Sequence, residues 1–263
     1  MTMNFRAISA SFKQQAIQFI ADPQWVIPSI VSPFLFTMVM LYIYQDVTGP
    51  IVLQAVLGGG VLGMWANTLF SSSFTVSYDR MNGTFETILG SPTRMYDVLI
   101  GRSLWSAFIG LINAMLVFII AELIFQTGLT LMNPIAFFIM LALTLFSLAS
   151  VGMLISTAFV FSRRGRVFSA IAEYPIYVLS GALVPITVLP QSMQYISYIL
   201  APAWGIDAMK LVAIEEYGGM MGFSLPICIL MLALLSIVFL TLAFILMKVA
   251  EQRIMLTGTA SRY

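Results

Sequence analysis

Ser169, Glu173, Tyr177 and Ser180 follow one another at steps of four, four and three, the spacing that brings side chains onto one face of a helix. Their surroundings are apolar, so the stripe sets a carboxylate and three hydroxyls inside a hydrophobic segment. An acid in such a place is costly and faces a partner or a wet cavity. Two readings stay open. Either the stripe lines a translocation path, or Glu173 pairs with the nearby Arg163, Arg164 and Arg166 and only fixes helix packing. Glu122, a second acid in an apolar run, lies near the end of that run, where it can snorkel to water.

Residue types exclude most other chemistry. The chain has no His and a single Cys, Cys228, which sits within an apolar run as a small hydrophobe. Disulfides, His-based metal sites and Ser-His or Cys-His catalysis fall away together, so no catalytic residue and no metal site is expected. No G-x-x-x-x-G-K-[ST] phosphate loop occurs. The glycines Gly58, Gly59, Gly60 and Gly63 do not follow a strand; Gly59-x-x-x-Gly63 suits close helix contact instead.

The elements that must carry these residues are membrane spans. Of the 263 residues, 60% are hydrophobic and 9% charged, against about 25% charged in soluble domains. Too little polar surface remains to wet a globule, so the expected solvent is lipid. A net charge of +1 implies no nucleic-acid partner. Apolar runs long enough to cross the bilayer occur at about 26–45, 52–77, 101–125, 134–161, 167–188 and 223–247. They are continuous rather than alternating, which makes them helices and not barrel strands. The fold class is therefore an all-α integral membrane protein with six transmembrane helices. Pro28 and Pro33 are expected to kink or delay the first of them.

Lys and Arg positions orient the spans. With the N-terminus inside, Arg6, Lys13, Arg80, Arg94, Arg102, Arg163, Arg164, Arg166, Lys248, Arg253 and Arg262 all fall inside, and only Lys210 outside. The positive-inside rule then places both termini in the cytoplasm. The opening MTMNFRAISASFKQQ does not read as a signal peptide. Phe5, Ile8, Phe12, Ala16 and Phe19 share one helical face, opposite Arg6, Ser9, Lys13, Gln14 and Gln18, so residues 1–23 are expected to form an amphipathic helix in the membrane interface. Residues 24–263 then make one six-span domain. The outer segment 189–222 is too apolar for a free loop and too broken by Pro190, Pro202 and Gly205 for a span. It is expected to form one or two short re-entrant helices between spans five and six.

The segment RMNGTFETILGSP, residues 80–92, lies on the cytoplasmic side between spans two and three. Gly83 suits an N-cap, and Glu86 falls in the first turn, facing the positive end of the helix dipole. Phe85, Ile88 and Leu89 share a face. Gly90 closes the helix, while Ser91 and Pro92 suit the start of the next one.

This pattern, followed by Leu99-Ile-Gly-Arg102, resembles the G-T-x-E-x-L-x-x-S-P segment of type-2 ATP-binding-cassette (ABC) transporter permeases, drug or lipid exporters among them. Leu179-Ser-Gly181, Pro185, Leu189-Pro190 and Pro202 resemble that family's fifth span and outer re-entrant pattern. The short outer segment at 45–50 sets the chain apart from branches with a large outer domain there. The resemblance implies that residues of about 83–92 form a coupling helix docked in a groove of a separate cytoplasmic ATPase. Phe85, Ile88 and Leu89 would fill that groove, Glu86 would make a polar contact, and Gly83, Thr84, Ser91 and Pro92 would frame the element.

The resemblance further implies a permease subunit that is not itself an enzyme, with no cofactor on this chain, and ATP and Mg on the partner ATPase. A second copy of the permease, two ATPases and membrane lipids would complete an exporter in a bacterial or archaeal cell membrane. Its 18 Met and 20 Phe suit an adaptable apolar path for amphiphiles such as drugs, antibiotics, peptides or lipids. Two alternatives stay in view. One is a polysaccharide or glycolipid exporter of the same fold, using Tyr174, Tyr177, Tyr195 and Tyr198. The other is a proton-coupled secondary transporter with Glu173 as the proton site.

Overall fold

A computed structural model describes residues 4–43, 50–65, 68, 78–79, 82–125, 131–160, 175–214, 217–219 and 222–257. Among them every regular element is helical. Helix α1, Phe5–Ala21, starts at Asn4, whose Oδ1 accepts from the Ala7 N–H at 3.3 Å, and ends at Asp22. Helix α2, Pro23–Ile43, follows at once.

The buried side of α1 is not its greasy side. Ala7, Ile8, Ser11 and Gln15 are buried, whereas Phe5, Ile17 and Ile20 are 76%, 58% and 69% exposed. The cause lies on the partner, helix α5 (Met95–Phe125). A Cβ on Gly101 would stand 2.3 Å from the Ile8 carbonyl oxygen and 2.9 Å from Ser11 Cβ. So close an approach of backbones admits small residues and excludes phenylalanine. Phe12 and Phe19 pack at the flank, on Trp105, with ring centroids 5.4 and 6.2 Å away. The remaining apolar side chains suit the membrane interface. Gly101→Ala is therefore expected to cost about 1–3 kcal/mol, because the obstacle is backbone. Gly90→Ala is the control, since its nearest neighbour is an ordinary 3.4 Å away. Thermal melting in detergent should separate the two.

Among the described residues four stretches are long and apolar enough to cross a membrane: Val26–Ile43, Met95–Ile124, Pro134–Thr157 and Leu225–Arg253. They lie in α2, α5, α6 (Pro134–Val160) and α9 (Leu225–Thr257) and coincide with the expected spans one, three, four and six. The second span is described as α3, Pro50–Trp65, with the residues of its expected second half largely outside the described set. The fifth span differs from expectation where it is described. Its helix covers 175–179 and stops at a turn, because Gly181 takes a left-handed φ of 75°. A separate 3-10 turn, Ile186–Val188, follows.

Helix α2 runs unbroken through Pro28 and Pro33, so the prolines do not delay its start. Pro33 has no N–H for the Ser29 carbonyl, which instead accepts from Asn113 Nδ2 of α5 at 2.9 Å. A neighbouring helix thus satisfies the freed group in a medium without water. Thr37 Oγ1 donates to the Pro33 carbonyl at 2.8 Å. The same turn meets the glycines of α3: a Cβ on Gly59 would overlap Thr37 Oγ1 at 1.6 Å, and one on Gly63 would meet Pro33 Cγ at 3.0 Å. Gly59 and Gly63 are a packing seam.

Two short helices, α7 (Gln191–Ser197) and α8 (Ala201–Ala213), meet at 91°, the pair expected between spans five and six. Helix α8 is buried along nearly its whole length and packs on α6 and α9. Gly205 permits this, since a Cβ there would stand 2.3 Å from Thr144 Oγ1. Its last carbonyls, of Val212 and Ala213, accept from Asn133 and Met132 N–H at 3.3 and 3.2 Å. A non-spanning helix is thereby covered by protein on its flanks and at its end.

Candidate functional site

The element between α3 and α5 is built from its ends inward. At the near end Tyr78 and Asp79 form a helical turn. The Asp79 carbonyl accepts from Thr84 N at 2.9 Å, and the Tyr78 carbonyl from Asn82 N at 3.0 Å. Thr84 Oγ1 lies 3.2 Å from the Asp79 carbonyl and 3.3 Å from its Oδ1. Gly83 carries the reversal between them at φ 68°, a conformation that favours glycine. The N-cap of the short helix α4, Phe85–Leu89, is consequently Thr84 and not Gly83. Gly83 is needed one residue earlier, for its φ.

At the far end Gly90 closes α4, with its N–H on the Glu86 carbonyl at 2.9 Å. Ser91 points backward: its Oγ lies 2.7 Å from the Ile88 carbonyl and 2.5 Å from Thr93 Oγ1. The expectation that Ser91 and Pro92 open the next helix is corrected accordingly. Helix α5 begins three residues later, at Met95, and its cap comes from far along the chain. Glu251 Oε1, on α9, accepts from the Met95 N–H at 2.8 Å. A carboxylate held at the first turn also complements the helix dipole.

Burial divides the coupling residues. Phe85 is 2% exposed and packs with Met95, Leu99, Met153 and Met247 of its own chain; Ile88 and Leu89 are half-buried at the edge of that cluster. Phe85 is therefore an anchor to the bundle and has no free face for a partner's groove. Gly83, Thr84, Glu86, Thr87, Gly90 and Pro92 are exposed, and Ser91 is half-buried.

Beneath this element lies a buried ion pair. Arg102 Nη1 stands 2.6 Å from Asp79 Oδ2 and Nη2 3.3 Å from Oδ1, with side chains 0% and 1% exposed. Nη2 also reaches Gln14 Oε1 on α1 at 3.4 Å. The bidentate fork of arginine suits such a pair. One guanidinium thus ties α1, α5 and the start of the 82–94 element together. Arg102 appears in the sequence pattern, but Asp79 was not singled out. The available signal was chemical: an arginine two turns inside an apolar helix demands a carboxylate.

The polar stripe is only partly described. Tyr177 is 2% exposed, with its hydroxyl 3.1 Å from the Leu62 carbonyl and its ring 5.6 Å from that of Trp65. Ser180 is buried, and its Oγ donates to the Tyr177 carbonyl at 2.9 Å. Both belong to contacts within the chain. Ser169 and Glu173 lie outside the described residues, as do Arg163, Arg164 and Arg166. Glu122, near the end of α5, is exposed.

Helix α8 holds a second polar group that sequence reading missed. Asp207 and Lys210, one turn apart, are 0% and 2% exposed. Tyr217 donates to Asp207 Oδ1 at 2.9 Å, and Cys228 Sγ lies 4.0 Å from Oδ2. Lys210, the one cation that the charge count puts on the outer side, is thus buried within α8. Among the described residues no three His, Cys, Asp or Glu side chains gather into a metal-binding group.

A family model described as ABC-2 type transporter matches residues 6–214. No curated protein matches the chain. The matched region runs from the first turn of α1 to the end of α8. It takes in the 82–94 element, its Asp79–Arg102 anchor and the re-entrant pair. The apolar helices and the matched region together make this a multi-pass membrane protein of the ABC-2 type transporter family, whose members are permeases that normally work with an ATP-binding subunit.

Proposed function

We propose that the chain is the permease of an ATP-driven exporter that moves an amphiphilic substrate out of the cytoplasm or inner leaflet. ATP is hydrolysed on a separate subunit docked at residues 83–92. The observation that carries this reading is the build of that element. It is a five-residue helix fixed at both ends, anchored by Phe85 and standing on a buried ion pair that also reaches α1. Such a part moves as one body with the spans, as a lever must. Both termini lie in the cytoplasm of a cell with the protein in its cell membrane, and two copies of the chain form the translocation unit. Residues 1–23 serve as the interfacial helix and 24–263 as the six-span domain.

An apolar path fits the Met- and Phe-rich spans better than a glycan path. Tyr177 is buried against Trp65, and Tyr198 stacks on Trp204 and Phe223 at 6.0 and 6.3 Å, so these rings face their own chain. The test is transport by the purified permease and its copurifying ATPase in liposomes, with a fluorescent amphiphilic dye, a labelled phospholipid and a labelled oligosaccharide as probes. ATP-dependent movement of dye or phospholipid is expected, lost with a non-hydrolysable ATP analogue and changed less than about twofold by Glu173→Gln. Transport that persists without the ATPase and collapses with the proton gradient would replace this reading with secondary transport through Glu173.

A further inference from the structure

Arg6, Lys13, Ile17 and Ile20 follow one another along α1 at steps of seven, four and three, which sets them in one stripe. The stripe lies opposite the buried Ala7, Ile8, Ser11 and Gln15, so it points away from the bundle, and all four of its side chains are exposed. Its two halves differ: both cations come first and both isoleucines follow. No acid occurs anywhere between Phe5 and Ala21. Among the described residues neither Arg6 nor Lys13 forms an ion pair. Helix α2 follows at once, and its stretch long and apolar enough to cross a membrane begins at Val26. Ile17 and Ile20 therefore sit next to the hydrocarbon, and the cations one to three turns farther from it, among the headgroups.

We infer that this flank of α1 is a binding surface for anionic phospholipid, the headgroup phosphate lying on Arg6 and Lys13 and the acyl chain along Ile17 and Ile20. The occupant follows from charge and polarity together. Two cations with no acid on their helix complement a headgroup of net negative charge, whereas a zwitterionic headgroup brings a cation of its own. The apolar half of the stripe, with Ile17 58% and Ile20 69% exposed, suits a tail that a free anion lacks. The surface also bears on the bundle. Gln14, next to Lys13, reaches Arg102 Nη2 at 3.4 Å, so lipid held on this flank steadies α1 against the buried Asp79–Arg102 pair. Because the permease alone carries the surface, the inference stands or falls apart from the exporter reading.

The experiment is native mass spectrometry of the full chain released from mixed micelles that hold phosphatidylglycerol and phosphatidylcholine with the same acyl chains in equal amounts. Each cation near the headgroups raises affinity for an anionic lipid about fivefold, so phosphatidylglycerol should be retained over phosphatidylcholine by about thirtyfold. Arg6→Gln with Lys13→Gln should bring the two lipids within about twofold of each other, while Arg6→Lys with Lys13→Arg keeps the preference. Melting in detergent reports whether the glutamine variant is folded. Should it not be, Lys13→Gln alone is expected to lower the preference about fivefold. Equal retention of both lipids by the unaltered chain, or an undiminished preference in the folded glutamine variant, would overturn the inference. A glutamine variant that keeps its lipid preference and loses the copurifying ATPase would assign the flank to that subunit instead.

Discussion

Arg102→Ala is expected to cost about 3–5 kcal/mol, because it strands a desolvated carboxylate at Asp79. That is a large part of the total stability of a typical domain, ~5–15 kcal/mol, so little folded protein should accumulate. Asp79→Ala should do comparable damage, leaving the guanidinium to Gln14 alone and removing the side-chain partner of Thr84. The paired replacement Asp79→Leu with Arg102→Met takes away both charges at similar volume and should recover most of the loss. Melting in detergent of the two singles and the double distinguishes a pair from two independent residues. If the double variant is no more stable than either single, the ion pair is not what joins α1, α5 and the coupling segment.

How far the molecule could be foreseen follows from the range of each interaction. The long apolar runs of α2, α5, α6 and α9 were legible, because burial in lipid acts on composition over some twenty residues. So was the re-entrant pair, from its Pro and Gly breaks. The short helix at 85–89 was legible from its caps, and Gly90 closes it as expected, yet its start was displaced: Thr84 and not Gly83 is the N-cap. A one-residue shift of that kind turns on whether Gly83 takes a left-handed φ, which neighbouring side chains do not reveal.

What stayed hidden were partners distant in the chain. Asp79 meets Arg102 across 23 residues, Asn113 serves the carbonyl freed by Pro33 across 84, and Glu251 caps Met95 across 156. No local periodicity encodes such pairs. The face that α1 turns to the bundle was hidden for a related reason. The greasy stripe of α1 was visible, but the decisive feature was Gly101 on another helix.

The second large effect separates holding the coupling element from using it. Phe85→Ala is expected to cost about 3–5 kcal/mol through loss of buried area and the cavity left behind, since Met95, Leu99, Met153 and Met247 cannot all close upon it. Glu86→Arg and Thr87→Arg lie on the exposed rim and should each change stability by less than ~0.5 kcal/mol. Their expected effect is on the partner. A charge reversal and a long cation placed at the docked surface weaken association without touching the bundle. Damage to transport by Phe85→Ala would thus follow loss of the fold, whereas damage by the rim variant would not.

The direct measurement is the amount of ATPase subunit retained on the purified Glu86→Arg/Thr87→Arg permease, with ATP-driven transport by the same sample. The account predicts a melting temperature within about 2 °C of the unaltered chain, with retention and transport both reduced at least about tenfold. Unchanged retention and unchanged transport in that well-folded variant would contradict it and place the drive elsewhere on the molecule.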